Sequence, residues 1–315
     1  MLGGNARAGR GVTTPAPARE TYERPMIGMD NALSVDVEDW FQVGAFESVF
    51  SKDDWQGQAQ RVERNTDAVL ALFEKAGVKG TFFTLGWVAE RYPALIRRIV
   101  AQGHEIASHG YDHKRVFLMN ADEFAADLAR ARALIEDAAG QAVTGYRAPS
   151  FSIDARTPWA HRVLAEAGYR YSSSVAPVRH DHYGWPESPR FAWKPLPDSD
   201  LVELPVTTAR LGNRVVAAGG GGFFRLLPYR FSHWAIEQVN GDGRPAIIYF
   251  HPWEIDPDQP RVADAPLKSK LRHYSKLSAM AGKLERLMGD FHWTRIDALV
   301  EAQAQNLMPF PREAA

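Results

Sequence analysis

The sequence contains no cysteine, and this absence excludes several kinds of chemistry at once. A chain without thiols cannot form disulfides, use a cysteine nucleophile, or bind an iron–sulfur cluster or a thiolate zinc site. Any transition metal would therefore have to be bound by histidine and carboxylate side chains.

Long apolar runs and an excess of charge are lacking too. No run approaches the roughly 20 apolar residues that a membrane-spanning helix needs, so no integral membrane segment is expected. The 37 Lys and Arg residues are offset by 38 Asp and Glu residues, which argues against nucleic acid as a partner. Residues 1–28 have no apolar core of the kind that a signal peptide requires. A cytoplasmic location is therefore the default expectation, with a periplasmic or membrane-associated one left open.

Composition and pattern divide the 315 residues into three predicted parts. Residues 1–28 are rich in Gly, Ala, Pro, Thr and Arg and have no periodicity, which predicts a disordered leader. Residues 29–260 are predicted to form one barrel domain. Residues 261–315 are predicted to be a C-terminal extension that packs on it.

Short apolar runs alternate with amphipathic stretches along the predicted barrel. Four helical patterns are found, at residues 62–77, 93–103, 120–140 and 158–167, and the third begins with a capping-box sequence after Asn120. Eight segments are predicted to be strands: 32–39, 79–86, 105–110, 144–149, 170–175, 201–208, 246–252 and 291–296.

Strands that alternate with such helices indicate βα units and a parallel sheet or barrel. The units are too many for a small open sheet, and no GxGxxG follows the first strand. The sequence therefore predicts an α/β barrel. Residues 176–200, rich in proline, are predicted to be a long surface loop, and the four glycines at 219–222 predict a turn or a close backbone approach.

Carboxylates cluster at the end of the first predicted strand, and in barrels such strand ends carry the functional groups. Asp36, Glu38 and Asp39 lie within four residues, followed by Trp40. Because like charges repel, a bound cation or an arginine is expected nearby. An acidic strand end that simply faces water is the alternative for one of the three carboxylates, but a weaker one for all three.

Three further strand ends carry candidate functional groups. His109 and His113 have the i, i+4 spacing of zinc-binding helices, without the HExxH glutamate, and such a pair alone is often fortuitous. Arg147, followed by Pro149, could orient a carboxylate or form an ordinary salt bridge. His251 ends a strongly apolar strand, where a lone histidine is often a satisfied core residue.

The HxxxH motif, the RxP motif and the late strand-end histidine occur in the order found in a known family. The sequence resembles polysaccharide deacetylases of the NodB-homology type, carbohydrate esterase family 4, in the branch of peptidoglycan deacetylases and allantoinase-like proteins. The resemblance spans about residues 33–299. It implies a distorted, incomplete (β/α)7-type barrel that binds one divalent metal ion, with Zn²⁺ the expected ion.

The resemblance also implies roles for individual residues. It assigns His109 and His113 as metal ligands and places the carboxylate ligand at Glu38, where the family usually has aspartate, with Asp39 as the alternative. It further implies a catalytic base, an arginine that orients the base, and a general acid, which fall on Asp36, Arg147 and His251.

Substrate-binding positions follow from the same motifs. Trp40, Tyr111, Pro149 and Trp253 are expected to form the walls of the sugar site. The family's Asp–Trp motif has no clear match, and residues 171–174 stand where it is expected.

The implied activity is removal of N-acetyl groups from an amino-sugar polysaccharide or its precursor. Residues 219–228 and 271–294 resemble the C-terminal extension of exosortase-linked deacetylases, which implies a role in exopolysaccharide biosynthesis. Two alternatives are kept: an allantoinase-like cyclic amide hydrolase, favoured by a small closed pocket, and a non-catalytic carbohydrate-binding protein. An open groove with exposed tryptophan would favour a polymer, and a homo-oligomer is left open.

Overall fold

The computed structural model describes residues 29–179, 183–303 and 307. The predicted leader, residues 1–28, lies outside the described residues. Within the described part, no helix combines the length and apolar character required to cross a bilayer.

The strands form one large parallel sheet and one small antiparallel hairpin. They are β1 (Asn31–Val37), β2 (Thr81–Thr84), β3 (Glu105–Ser108), β4 (Gly145–Tyr146), β5 (Tyr171–Ser172), β6 (Val202–Glu203), β7 (Thr208–Leu211), β8 (Arg214–Ala217), β9 (Ile247–Phe250) and β10 (Trp293–Thr294). The large sheet has the order β10-β1-β2-β3-β4-β5-β6, and β9 also pairs with β1. Each of its eight strands overlaps one predicted strand, whereas the β7–β8 hairpin was not predicted.

The helices lie between these strands and after them. They are α1 (Val62–Ala76), α2 (Gly86–Arg91), α3 (Pro93–Ala101), α4 (Ala121–Ala139), α5 (Ala160–Glu166), α6 (Gly221–Leu226), α7 (Tyr229–Gly241), α8 (Leu267–Tyr274), α9 (Met280–Asp290) and α10 (Ile296–Gln303). The four predicted helices correspond to α1, α3, α4 and α5. The capping box of α4 is confirmed, since the Asn120 side chain accepts from the backbone N–H of Glu123 and the reverse bond also forms.

The barrel is not closed by strand pairing. Among the described residues, β6 and β9 are not paired as strands, and the chain between them fills the gap instead. Thr207 donates its backbone N–H to the Ile247 carbonyl at 3.1 Å, and Tyr249 donates to the Gly219 carbonyl at 2.8 Å. A Cβ on Gly219 would lie 2.6 Å from the Ile247 carbonyl oxygen. The prediction of an incomplete, distorted barrel is confirmed, as is the close backbone approach at the glycine run.

Residues after 260 are joined to the barrel through its sheet and its core. Strand β10 pairs with β1 in parallel. Leu284 and Leu287 of α9 and Ile296 of α10 are fully buried. The helix α8 lies at the end of the barrel where the carboxyl ends of the strands meet, because three of its residues line the cavity described below.

Close packing between β4 and β5 gives a test of the sheet. Gly145 is paired with Tyr171, and a Cβ at Gly145 would lie 2.1 Å from Cζ of that ring. We expect Gly145→Ala to lower the free energy of unfolding by about 1–3 kcal/mol, because the ring must move and its hydroxyl must leave Glu105, 2.7 Å away.

Urea unfolding measures this effect. Gly57→Ala is the control, since an added Cβ there meets nothing within 4 Å, and we expect a change of no more than about 0.5 kcal/mol. Equal losses in the two variants would contradict the packing argument.

Candidate functional site

The carboxyl ends of neighbouring parallel strands bring most of the predicted site residues together. Glu38 follows β1, His109 follows β3, Arg147 follows β4 and His251 follows β9. A cavity of about 430 Å³ opens at this end of the barrel, and its lining includes Asp36, Glu38, His109, His113, His251 and Trp253.

A buried group of three side chains is suited to hold a metal ion. Glu38, His109 and His113 each offer one ligand atom, and these atoms lie within 4.8 Å of one another. Glu38 Oε2 is 3.0 Å from His113 Nε2, and this buried oxygen has no further hydrogen-bond partner among the described residues. A buried carboxylate oxygen is costly when it is not fully satisfied, and a cation bound beside it would compensate that cost.

The protonation states of this group also suit a metal. His109 Nδ1 lies 2.8 Å from the Arg147 carbonyl oxygen; because a carbonyl only accepts, Nδ1 carries the proton and Nε2 keeps its lone pair. Burial lowers the pKa of His109 to about 3, and His113 adds to this. Burial would raise the pKa of Glu38, but His113 and His251 outweigh it and hold that pKa below its ordinary value. An imidazole with a free Nε2 lone pair and a carboxylate are ligands that Zn²⁺ favours.

Asp39 lies outside this group. Its carboxylate accepts hydrogen bonds from the backbone N–H groups of Arg61 at 2.6 Å, Val62 at 2.9 Å and Trp40 at 2.8 Å. It thereby satisfies N–H groups at the start of α1 that have no partner within the helix. The alternative in which Asp39 is the carboxylate ligand is therefore not supported, and Glu38 remains as the candidate.

Asp36 is fixed by a fully buried arginine. Arg147 Nη1 donates to Asp36 Oδ1 at 2.7 Å and to Ser34 Oγ at 2.9 Å. The same guanidinium donates to the carbonyl oxygen and the Oγ of Ser173, at 3.1 and 3.0 Å. Of the two interpretations of Arg147, the one in which it orients a carboxylate fits this geometry. Ser173 lies in the segment where the Asp–Trp motif had no match.

His251 lies between two carboxylates. Its Nε2 is 3.3 Å from Glu38 Oε1, and its Nδ1 is 2.9 Å from Glu254 Oε1. Burial alone would lower the pKa of His251, but the charges of Glu38 and Glu254 raise it to about 9. A protonated imidazole in this cavity can serve as a proton donor. Glu254 was not identified from the sequence, although its position three residues after His251 in a turn was a usable signal.

Three of the four predicted substrate-binding residues do not line the cavity. Trp40 is only 2% exposed and packs among Phe41, Phe46 and Phe50. The Tyr111 hydroxyl donates to Glu90 at 2.8 Å, and its ring lies under Arg130.

Pro149 is buried beside Gly110. Only Trp253 lies on the wall as predicted, and the other aromatic wall residues are Phe151, Tyr183 and Tyr249. Trp40, Tyr111 and Pro149 lie away from the cavity wall because proximity to a strand end does not fix the direction of a side chain.

Comparison with known families agrees with this geometry. Residues 51–172 match the family model described as polysaccharide deacetylase. The chain carries a polysaccharide deacetylase domain. Residues 173–301 match a second family model, described as a domain of unknown function, DUF3473. The deacetylase part contains His109, His113 and Arg147, and the DUF3473 part contains His251.

Individual relatives are similar over limited lengths. A peptidoglycan deacetylase of Helicobacter pylori is 30% identical over 133 residues, 42% of this chain and 44% of the relative. A peptidoglycan-N-acetylglucosamine deacetylase of Bacillus cereus is 33% identical over 84 residues, 27% of this chain and 30% of the relative. The chain thus spans less than half the length of these relatives.

The fold has a counterpart among solved structures. That of a candidate polysaccharide deacetylase from Mycobacterium smegmatis superposes with a TM-score of 0.55 at 20% identity, covering 90% of this chain and 93% of the other. This likeness supports the barrel architecture.

Substitutions of Glu38 and Asp39 are expected to have different effects on metal binding. We expect Glu38→Gln to weaken Zn²⁺ binding by more than the roughly 10–100-fold that loss of an outer partner costs, because a proposed ligand is removed. We expect Asp39→Asn to keep its Zn²⁺ affinity and to lose about 1–2 kcal/mol of stability, because the amide cannot accept all three backbone N–H groups.

Competition with a zinc-binding dye and urea unfolding measure the two effects. Loss of Zn²⁺ by Asp39→Asn, together with its retention by Glu38→Gln, would reverse the assignment.

Proposed function

We propose that this protein is a metal-dependent hydrolase that removes N-acetyl groups from an amino-sugar-containing polysaccharide or its precursor. The observation that carries the proposal is that Asp36 and His251 line the same cavity as the Glu38, His109 and His113 group. The family match and the relatives named as peptidoglycan deacetylases support it.

Zn²⁺ held by Glu38, His109 and His113 would supply Lewis-acid chemistry, lowering the pKa of a water and polarising the amide carbonyl. Asp36 accepts the proton of the attacking water, and the hydrogen bonds from Arg147 fix the direction of its carboxylate. His251 donates a proton to the nitrogen as the C–N bond breaks. The products are acetate and a free amino sugar.

The space around the site favours a substrate larger than a small cyclic amide. A second cavity of about 330 Å³ adjoins the first and shares Tyr183, Tyr249 and Trp253 with it. An exposed tryptophan would also have indicated a polymer, but Trp253 is only 6% exposed. The support for a polymeric substrate therefore comes from the adjoining cavity. The proposal that this polymer is an exopolysaccharide rests on the likeness of residues 219–228 and 271–294 to exosortase-linked deacetylases.

Acetate release from a panel of N-acetylated oligosaccharides, with allantoin included, tests the activity. We expect acetate release that a chelator abolishes and Zn²⁺ restores, and no turnover of allantoin. Turnover of allantoin without acetate release would favour the cyclic amide hydrolase. Absence of both reactions from zinc-loaded protein would favour the non-catalytic carbohydrate-binding protein.

Asp36→Asn tests the role of the base. We expect it to lower kcat by a factor of about 10²–10⁴, because the amide cannot accept the proton of water. Activity is expressed per folded, zinc-loaded molecule, since the change also weakens a buried ion pair. Asp53→Asn, at an exposed acidic position, is the control and should keep wild-type kcat. Wild-type kcat in Asp36→Asn would rule out the proposed base.

A further inference from the structure

A buried arginine outside the predicted site connects two distant parts of the chain. Arg225 in α6 is 1% exposed, and its Nε donates to Glu254 Oε2 at 2.8 Å. Its other N–H groups donate to the carbonyl oxygens of Arg272 at 2.9 Å, of His273 at 3.1 Å and of Ser275. These carbonyls belong to the C-terminal end of α8. The last carbonyl groups of a helix have no N–H donor within the helix and need partners from elsewhere.

The other end of this connection is His251. The fully buried Glu254 accepts from both the backbone N–H and Nδ1 of His251, at 3.2 and 2.9 Å. The start of α6 lies against the same carboxylate, since a Cβ on Gly221 would be 2.2 Å from Glu254 Oε1. Hydrogen bonds therefore run without a break from His251 through Glu254 and Arg225 to the end of α8.

The helix α8 reaches the site by a second route as well. Its residues Lys268, Ser269 and Arg272 line the cavity. Its His273 stacks on Trp253 with ring centroids 4.1 Å apart, and Trp253 stacks in turn on His251 at 5.1 Å. The helix thus contacts the surroundings of His251 through both charged and aromatic groups.

We propose that residues 266–275 belong to the active site, with Arg225 as the positioning residue that couples them to His251. These residues lie in the part of the chain that is matched only by a domain of unknown function. The proposal rests on the proposed function, because it takes His251 as the proton donor. Arg225 holds Glu254, and Glu254 holds the imidazole with Nδ1–H directed at it, which keeps Nε2 on the side of Glu38.

A lysine in the same neighbourhood provides a matched control. Lys283 in α9 donates to the carbonyl oxygens of Phe224, Arg225 and Leu227 at 2.9, 3.0 and 2.7 Å. It therefore ties the C-terminal part to α6 through carbonyl groups, as Arg225 does. Its bonds end on main-chain carbonyl groups and involve neither the Arg225 guanidinium nor Glu254, so Lys283→Met should disturb the packing without disturbing His251.

The first experiment compares kcat and KM for an N-acetylated oligosaccharide in zinc-loaded Arg225→Met and Lys283→Met. We expect Arg225→Met to lower kcat by about 10–100-fold, as small misplacements of catalytic groups do, with KM little changed and Zn²⁺ retained. We expect Lys283→Met to keep kcat close to that of the wild type. Equal kcat values in the two variants would overturn the proposal. Should Arg225→Met not fold, Arg225→Lys replaces it, with a smaller loss of kcat expected.

The second experiment separates proton donation from general damage. Nitrophenolate leaves without needing a proton, so para-nitrophenyl acetate hydrolysis depends little on a general acid. We expect Arg225→Met to lose much more activity toward the amide than toward this ester. A parallel loss on both substrates would mean that the metal group or Asp36 is damaged, and would also overturn the proposal.

A spectroscopic measurement keeps the proposal testable if the proposed function fails. The imidazole N–H proton of His251, assigned by its absence in His251→Gln, should be protected from exchange by Glu254. We expect faster exchange in Arg225→Met than in Lys283→Met. Absence of acetate release from wild-type protein would contradict the proposed function, whereas equal exchange in the two variants would contradict the coupling.

Discussion

The arrangement of the site depends on the buried charge of Arg147. An unpaired guanidinium inside the barrel would cost several kcal/mol, so the strand ends must supply partners for it. Asp36 from β1 and Ser173 from the end of β5 do so, and the Arg147 carbonyl oxygen fixes the proton of His109 on Nδ1. Arg147 thereby orients the proposed base through its guanidinium and sets the tautomer of a proposed metal ligand through its main-chain carbonyl.

A second buried arginine, Arg225, plays the corresponding role for the other proposed catalytic group, His251. Arg225 holds Glu254, and Glu254 holds His251. The two family models meet between Ser172 and Ser173, but the hydrogen bonds of Arg147 to Ser173 cross that boundary. Both matched segments and residues 36–45, which precede them, therefore line one cavity, and neither matched segment contains all of its walls.

The sequence was sufficient to predict the strands of the large sheet and four helices, because buried parallel strands and amphipathic helices have distinct periodicities. It was also sufficient to place Asp36, the two metal-group histidines and His251 at strand ends. It could not distinguish Glu38 from Asp39, since the alternation of β1 ends at Val37 and a turn sets the directions of the next side chains. The hairpin β7–β8 was missed because its tip is exposed and has no apolar run. Arg225 was missed because its partners lie 29 to 50 residues away in the chain.

The central claim is that the barrel's strand ends form a zinc site with Glu38 as its carboxylate ligand. Anomalous diffraction at the zinc absorption edge, from crystals of zinc-loaded protein, tests it most directly. We predict one strong peak in the cavity, within bonding distance of Glu38, His109 and His113, with Asp39 still at the start of α1. A peak bound to Asp39, or no peak among the three side chains, would contradict the account.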